Sequence, residues 1–207
     1  LINGDLGDDV ISGGSGDDNL AGSFGNDIVT GDAGDDILYG NEGADQLDGG
    51  EGDDVLYPGM DNDSLIGGEG TDIAVFHGNQ ADFTFAVATN GQLTVSDLHT
   101  VTEFGVGAYG INILSGIEIL RFNDGDLHIE IDENGDVTLI GGDSDDTITV
   151  VGSEPVTFKG MDGSDTLIGG SGDDSVLGGA GDDTVLGNTG DDYLVGGLGS
   201  DSLDGGE

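Results

Sequence analysis

A nine-residue period occupies both ends of this chain and constrains its fold more than any other feature. From Gly4 the text reads GDLGDDVIS, GGSGDDNLA, GSFGNDIVT, GDAGDDILY, GNEGADQLD, GGEGDDVLY, PGMDNDSLI and GGEGTDIAV. Place six is Asp in every copy: Asp9, Asp18, Asp27, Asp36, Asp45, Asp54, Asp63 and Asp72. Place eight is always apolar: Ile11, Leu20, Val29, Leu38, Leu47, Leu56, Leu65 and Ala74. Copies in strict register build the same local unit again and again, and stacking buries a core that no single copy owns.

A second block opens with GGDSDDTIT at Gly141 and passes through an irregular segment, Val150 to Lys159. It then runs GMDGSDTLI, GGSGDDSVL, GGAGDDTVL, GNTGDDYLV and GGLGSDSLD, with Asp165, Asp174, Asp183, Asp192 and Asp201 in place six. Gly141 and Gly160 are one residue further apart than two repeats, so a bulged coil is expected, with Asp146 stacked near Asp165. The chain begins at Leu1 and stops inside a repeat at Glu207, and is expected to be a piece of something longer.

Glycines at places one, two and four give the backbone freedom for a sharp turn, including positive φ. The x-apolar-x segment that follows predicts a strand of about three residues with its central side chain inward. Nine residues make half a coil, so alternate turns stack about 4.8 Å apart. Asp9, Asp27, Asp45 and Asp63 then share one column, and Asp18, Asp36, Asp54 and Asp72 the other.

The repeats fit the pattern G-G-x-G-x-D-x-U-x, where U is apolar, and over roughly two thirds of the chain they resemble the RTX (hemolysin-type calcium-binding) family. The resemblance implies an all-β, right-handed parallel β-roll, calcium in the turns, and type I secretion of the parent protein to the cell exterior or surface. Electrostatics leads to the same ion. The chain carries 44 acidic and 2 basic residues, a formal net charge of −42. Carboxylates stacked at strand spacing repel by roughly 3–4 kcal/mol at an effective dielectric near 20. A hard divalent cation between turns reverses that sign and takes up carbonyl oxygens of the glycine turns. With no cysteine in the chain, oxygen ligands favour Ca²⁺ over Zn²⁺, and a flexible cage favours it over Mg²⁺. All fourteen place-six acids, including Asp146, are therefore expected ligands, for about ten sites. A merely solvated acidic surface, as in a salt-adapted protein, explains neither the fixed register of Asp nor its coupling to glycine. Asp61 and Ser144 stand where place four is otherwise Gly, which marks the Asp63 and Asp146 sites as the weaker ones.

Three regions are expected: roll 1 over 1–75, a strand-rich connector or cap over 76–140, and roll 2 over 141–207. In the middle, FTFAV, LTVSD, ILRF, LHIEI and VTLI alternate in polarity, with turn signals at Asn90-Gly91, Asn123-Asp124-Gly125 and Asn134-Gly135. Outward places seven and nine of the even copies carry Ile37 and Tyr39, Val55 and Tyr57, Ile73 and Val75. Such a patch normally has a partner, and the middle segment is expected to cover it.

Almost no Lys or Arg is present to meet phosphate, which argues against nucleic acid or anionic membranes as partners, and no apolar run is long enough to span a bilayer. His77, His99 and His128 are scattered with no nucleophile motif, so no enzyme is expected and they read as ordinary strand or loop residues. Two roles fit the same physics. One is a structural surface protein (adhesin, surface layer or extracellular filament) that self-associates or joins other subunits. The alternative is a secretion and folding module attached to an enzyme or toxin domain.

Overall fold

The computed structural model describes residues 1–90, 92–98, 110–132 and 134–207. They form strands, with one short 3-10 turn at Gln80–Asp82 among the described residues. Two compact units result: Leu1–His77 with Thr94–Arg121, and Gly78–Leu93 with Phe122–Glu207. The stretch 76–140, read above as one connector, contributes to both.

In the first unit each nonapeptide strand pairs in parallel with the strand one coil on. Val10–Ser15 pairs with Ile28–Ala33, and Asn19–Phe24 with Ile37–Glu42. The offset is 18 residues, as between Asp9 and Asp27, so two repeats close one coil. Alternate strands thus form two parallel sheets, and the unit is a parallel β-roll. Place-eight side chains fill the space between them: Leu20, Val29, Leu38, Leu56, Leu65 and Ala74 are wholly buried. Coiling outlasts the nonapeptides, since Ile111–Ser115 pairs with Ser64–Glu69 and Ile119–Arg121 with Ile73–Val75, both in parallel.

Most strands of this unit have six residues, not three. Pairing resumes beyond the place-one glycine: Ser12↔Thr30 is followed by Gly14↔Asp32 and Ser15↔Ala33. Three-residue strands do occur, at Ile73–Val75 and Thr184–Leu186. The glycine roles also divide. Positive φ falls at places two and four, where Gly14 and Gly16 have 99° and 97°. Asp5, Ser23, Asp32 and Asn41 adopt it at place two at some steric cost, as Asp61 does at place four with φ 76°. Apart from Pro58, place one is glycine for want of space.

The second unit repeats the architecture. Thr157–Asp162, Ser175–Ala180 and Tyr193–Leu198 pair in one sheet, and Thr147–Thr149, Thr166–Ile168, Thr184–Leu186 and Ser202–Asp204 in the other. The expected bulge is located by register. Thr149 still faces Ile168, whereas the Cα of Gly170 looks onto Gly152, so the extra residue falls at Val150–Val151. Val150 stays buried and Val151 is pushed outward. An antiparallel hairpin, Asp126–Ile131 with Val137–Ile140, joins the first sheet through Thr157–Asp162. Its turn is held by Asp132, whose Oδ1 accepts from the N–H groups of Asn134 and Asp136. Phe83, Phe85 and Phe122 pack together, with ring centroids 5.2 and 6.1 Å from Phe122.

Candidate metal centre

The acids stack as the period requires. The N–H of Asp9 donates to Oδ1 of Asp27, Asp27 to Asp45, and Asp45 to Asp63, at 2.8 to 2.9 Å. The other column runs Asp18, Asp36, Asp54 and Asp72 in the same way. In the second unit Asp146, Asp165, Asp183 and Asp201 form one column, and Val156, Asp174 and Asp192 the other. One carboxylate oxygen of each acid stacked on another coil of its column therefore completes the turn of the coil before it.

The second oxygen is the telling atom. Oδ2 of Asp9, Asp27, Asp36, Asp45, Asp54, Asp63, Asp72, Asp165, Asp183 and Asp192 is buried with no hydrogen-bond donor. A buried ionised oxygen without a donor is costly, and a native fold requires a cation or a proton there. The place-one glycine marks the spot. A Cβ on Gly4 would stand 2.6 Å from Asp9 Oδ2 and 2.8 Å from the Gly22 carbonyl oxygen; one on Gly13 would stand 2.9 Å from Asp18 Oδ2 and 2.8 Å from that of Gly31. Each cradle gathers a carboxylate and a carbonyl from the next coil. No three His, Cys, Asp or Glu side chains converge among the described residues, so an ion there draws on main-chain oxygens as well as on the acid. Oxygen-only donors on adaptable backbone fit a hard cation of calcium's kind.

Without an ion seven of the place-six acids are driven toward protonation. Burial, followed by the charges of Asp45 and Asp61, pushes Asp63 up to about 7. Burial and neighbouring acids push Asp45, Asp54 and Asp165 up to about 6. Asp36, Asp72 and Asp174 are raised for the same first reason.

The expected ligands are not all alike. Asp146 and Asp174 lack an orphan oxygen: Oδ2 of each accepts from its own turn, from Gly142 and Gly170 N–H respectively. Asp18 and Asp201 are half-buried. Asp146 also differs in what meets its other oxygen. The carboxamide of Gln80, itself buried, donates through Nε2 to Asp146 Oδ1 at 2.7 Å and accepts from Thr147 N–H at 2.8 Å. Where an acid stacks on an earlier coil those two bonds are made by the backbone N–H and C=O of one residue of that coil, as by Asp27 under Asp45, so Gln80 stands in for a missing residue's backbone. Asp63, marked as weak from Asp61, keeps its orphan oxygen, and Asp61 adopts the place-four φ that glycine supplies elsewhere.

Sequence reasoning missed a second ladder. Place five carries acceptors that run the opposite way: Asn26 N–H donates back to Asp8, Asp53 to Asp35, Thr71 to Asp53, and Asp191 to Asp173. Its signal was present, since Asp or Asn occupies place five in most copies. Also missed were Asn112 and Glu118, which extend the two columns of the first unit by accepting from Asp63 and Asp72 N–H.

Comparison with known families matches the RTX calcium-binding nonapeptide repeat at residues 1–29, 22–56, 30–65, 39–74, 131–150, 157–185 and 177–207, well over half of the chain. The chain belongs to the RTX calcium-binding repeat family. Calcium binding is what these RTX repeats imply, and the orphan oxygens of both rolls are where it has a structural reason. Comparison with curated proteins finds no match. No helix among the described residues is long and apolar enough to cross a membrane.

Tyr39 and Tyr57 of the first RTX roll are stacked and half-buried, with centroids 4.7 Å apart; His77 lies 6.2 Å from Tyr57. His128 sits exposed on the hairpin strand Asp126–Ile131, and His99 lies outside the described residues.

Proposed function

We propose that this chain is a calcium-set structural module of a secreted bacterial protein. In this reading it folds outside the cell as ions fill its turns, and serves within an adhesin, surface layer or extracellular filament rather than as a catalyst. The observation that supports it is the row of buried acids whose second oxygens lack donors. Free of metal, the columns repel and the net charge of −42 favours an open chain. With metal, binding free energy becomes folding free energy. Extracellular sites of this type work near roughly 10⁻⁴–10⁻³ M calcium, far above cytosolic levels, which keeps the chain open for export.

Circular dichroism with and without calcium tests the folding switch, and a β-rich spectrum unchanged by excess chelator sinks it. Electron microscopy of calcium-titrated protein tests the structural role. Ordered assemblies support it; monodisperse rolls favour instead a folding module appended to an enzyme or toxin domain.

A further inference from the structure

We infer that the first unit holds a calcium site built with an acid from outside the repeats, Glu118, at the far end of the Asp18–Asp72 column. The inference rests on the reading that calcium fills the turns, and extends it to a turn with no nonapeptide signature.

Asp72 is wholly buried, and its Oδ2 has no hydrogen-bond donor. Elsewhere in the column that oxygen shares its cradle with the place-one carbonyl of the next coil, as Asp54 Oδ2 does with Gly67 beside Gly49. At Gly67 the same two roles are filled by Asp72 Oδ2 and the carbonyl of Gly116. Gly116 belongs to the turn Gly116–Ile117–Glu118, where no G-x-G-x-D sequence exists.

The register shows how so short a turn finishes the site. Ser115 pairs with Ile66, an offset of 115 − 66 = 49, and Ile119 with Ile73, an offset of 119 − 73 = 46. Three residues are absent from this turn relative to the one it stacks on. Glu118 stands directly before Ile119, as Asp72 stands before Ile73, and so holds the place-six position of the shortened turn. Its Oε2 accepts from Asp72 N–H at 2.8 Å, the bond that Asp54 N–H makes to Asp72 Oδ1 at 2.9 Å one coil earlier. Main-chain pairing supports the equivalence, because Ile119 N–H donates to the Asp72 carbonyl just as Ile73 N–H donates to that of Asp54. The turn thus reproduces the repeat's acid, carbonyl and ladder bond with a different sequence. Asp72 Oδ2, the Gly116 carbonyl and the Glu118 carboxylate are the donors assigned to a divalent oxygen-seeking cation.

The experiment is a calcium titration of the full chain by isothermal calorimetry, with bound ions counted by equilibrium dialysis. Glu118→Gln keeps an acceptor for Asp72 N–H and removes only the charge. It is expected to bind one calcium fewer than wild type while keeping the wild-type β-sheet spectrum at saturating calcium. An unchanged ion count and unchanged affinities overturn the inference and leave Glu118 as a hydrogen-bonding stop. Should Glu118→Gln fail to fold, Glu118→Lys carries the test by tethering a cation at the site: the expected result is a folded protein one ion short, and a full complement overturns the inference. A wild-type chain that takes up no calcium counts against the proposed function as a whole, which separates the two failures.

Discussion

Replacing Asp54 with Asn should act in opposite directions with and without calcium. Asp54 is wholly buried, its Oδ1 accepts from Asp36 N–H, and its Oδ2 is an orphan in the Gly49 cradle. Asn keeps the Oδ1 acceptor and puts an amide donor near the Gly67 carbonyl. Burial, then the charges of Asp72, Asp36 and Asp35, hold Asp54 up at about 6 against an ordinary 3.8. A carboxyl raised in this way opposes the folded state when ionised. At pH 7 the shift corresponds to about 2–3 kcal/mol against the metal-free roll. Above about 6 the penalty is present in full; it fades as pH falls, and below 3.8 both folded and unfolded chains are protonated and it is gone. In chelator, with sucrose added to populate the fold, Asp54→Asn should therefore be more stable than wild type at pH 7 by about that amount, and the gain should vanish near pH 4. In calcium the variant has lost a charged ligand, and its folding midpoint should move to on the order of tenfold more calcium. Urea melts followed by circular dichroism measure both. A variant less stable than wild type in chelator at pH 7 refutes the reasoning.

Gly49→Ala tests space rather than charge, since a Cβ there stands 2.6 Å from the Gly67 carbonyl oxygen and closer still to Asp54 Oδ2. It should cost about 1–3 kcal/mol in saturating calcium, read from thermal melts. Gln80→Leu removes two buried hydrogen bonds at the first turn of the second unit and leaves polar groups unmet. A loss of about 2–4 kcal/mol is expected, with faster hydrogen exchange at Thr147 and an unchanged calcium count. Protons and calcium compete for the same oxygens, so calcium affinity should fall with pH, first where Asp63 is pushed up to about 7 and then near 6 for Asp45, Asp54 and Asp165. Calorimetric titrations at pH 8, 7 and 6 follow that order.

The columns were legible because a nine-residue period, doubled, dictates which acids meet: Asp36 has to lie over Asp54 once Leu38 lies over Leu56. Strand length was misjudged because place-one glycine looks like a terminator, while the pairing continues past it at Gly14 and Ser15. Gln80 and Glu118 were invisible for a different reason. They meet Asp146 and Asp72 across 66 and 46 residues, without any period, and a lone Gln or Glu in a strand-rich stretch carries no local mark. Such end pieces become readable only when the bonds they replace are known.

The two side-chain ladders point in contrary senses, and this settles who suffers when one acid is lost. A buried place-six carboxylate serves the amide of the coil before it, whereas an exposed place-five carboxylate serves the coil after. Damage to the deep rung is therefore inherited upstream, toward the amino terminus, and damage to the shallow rung downstream. Since a bond hidden from water is the dearer one to lose, faults in these rolls should spread backward along the chain more readily than forward.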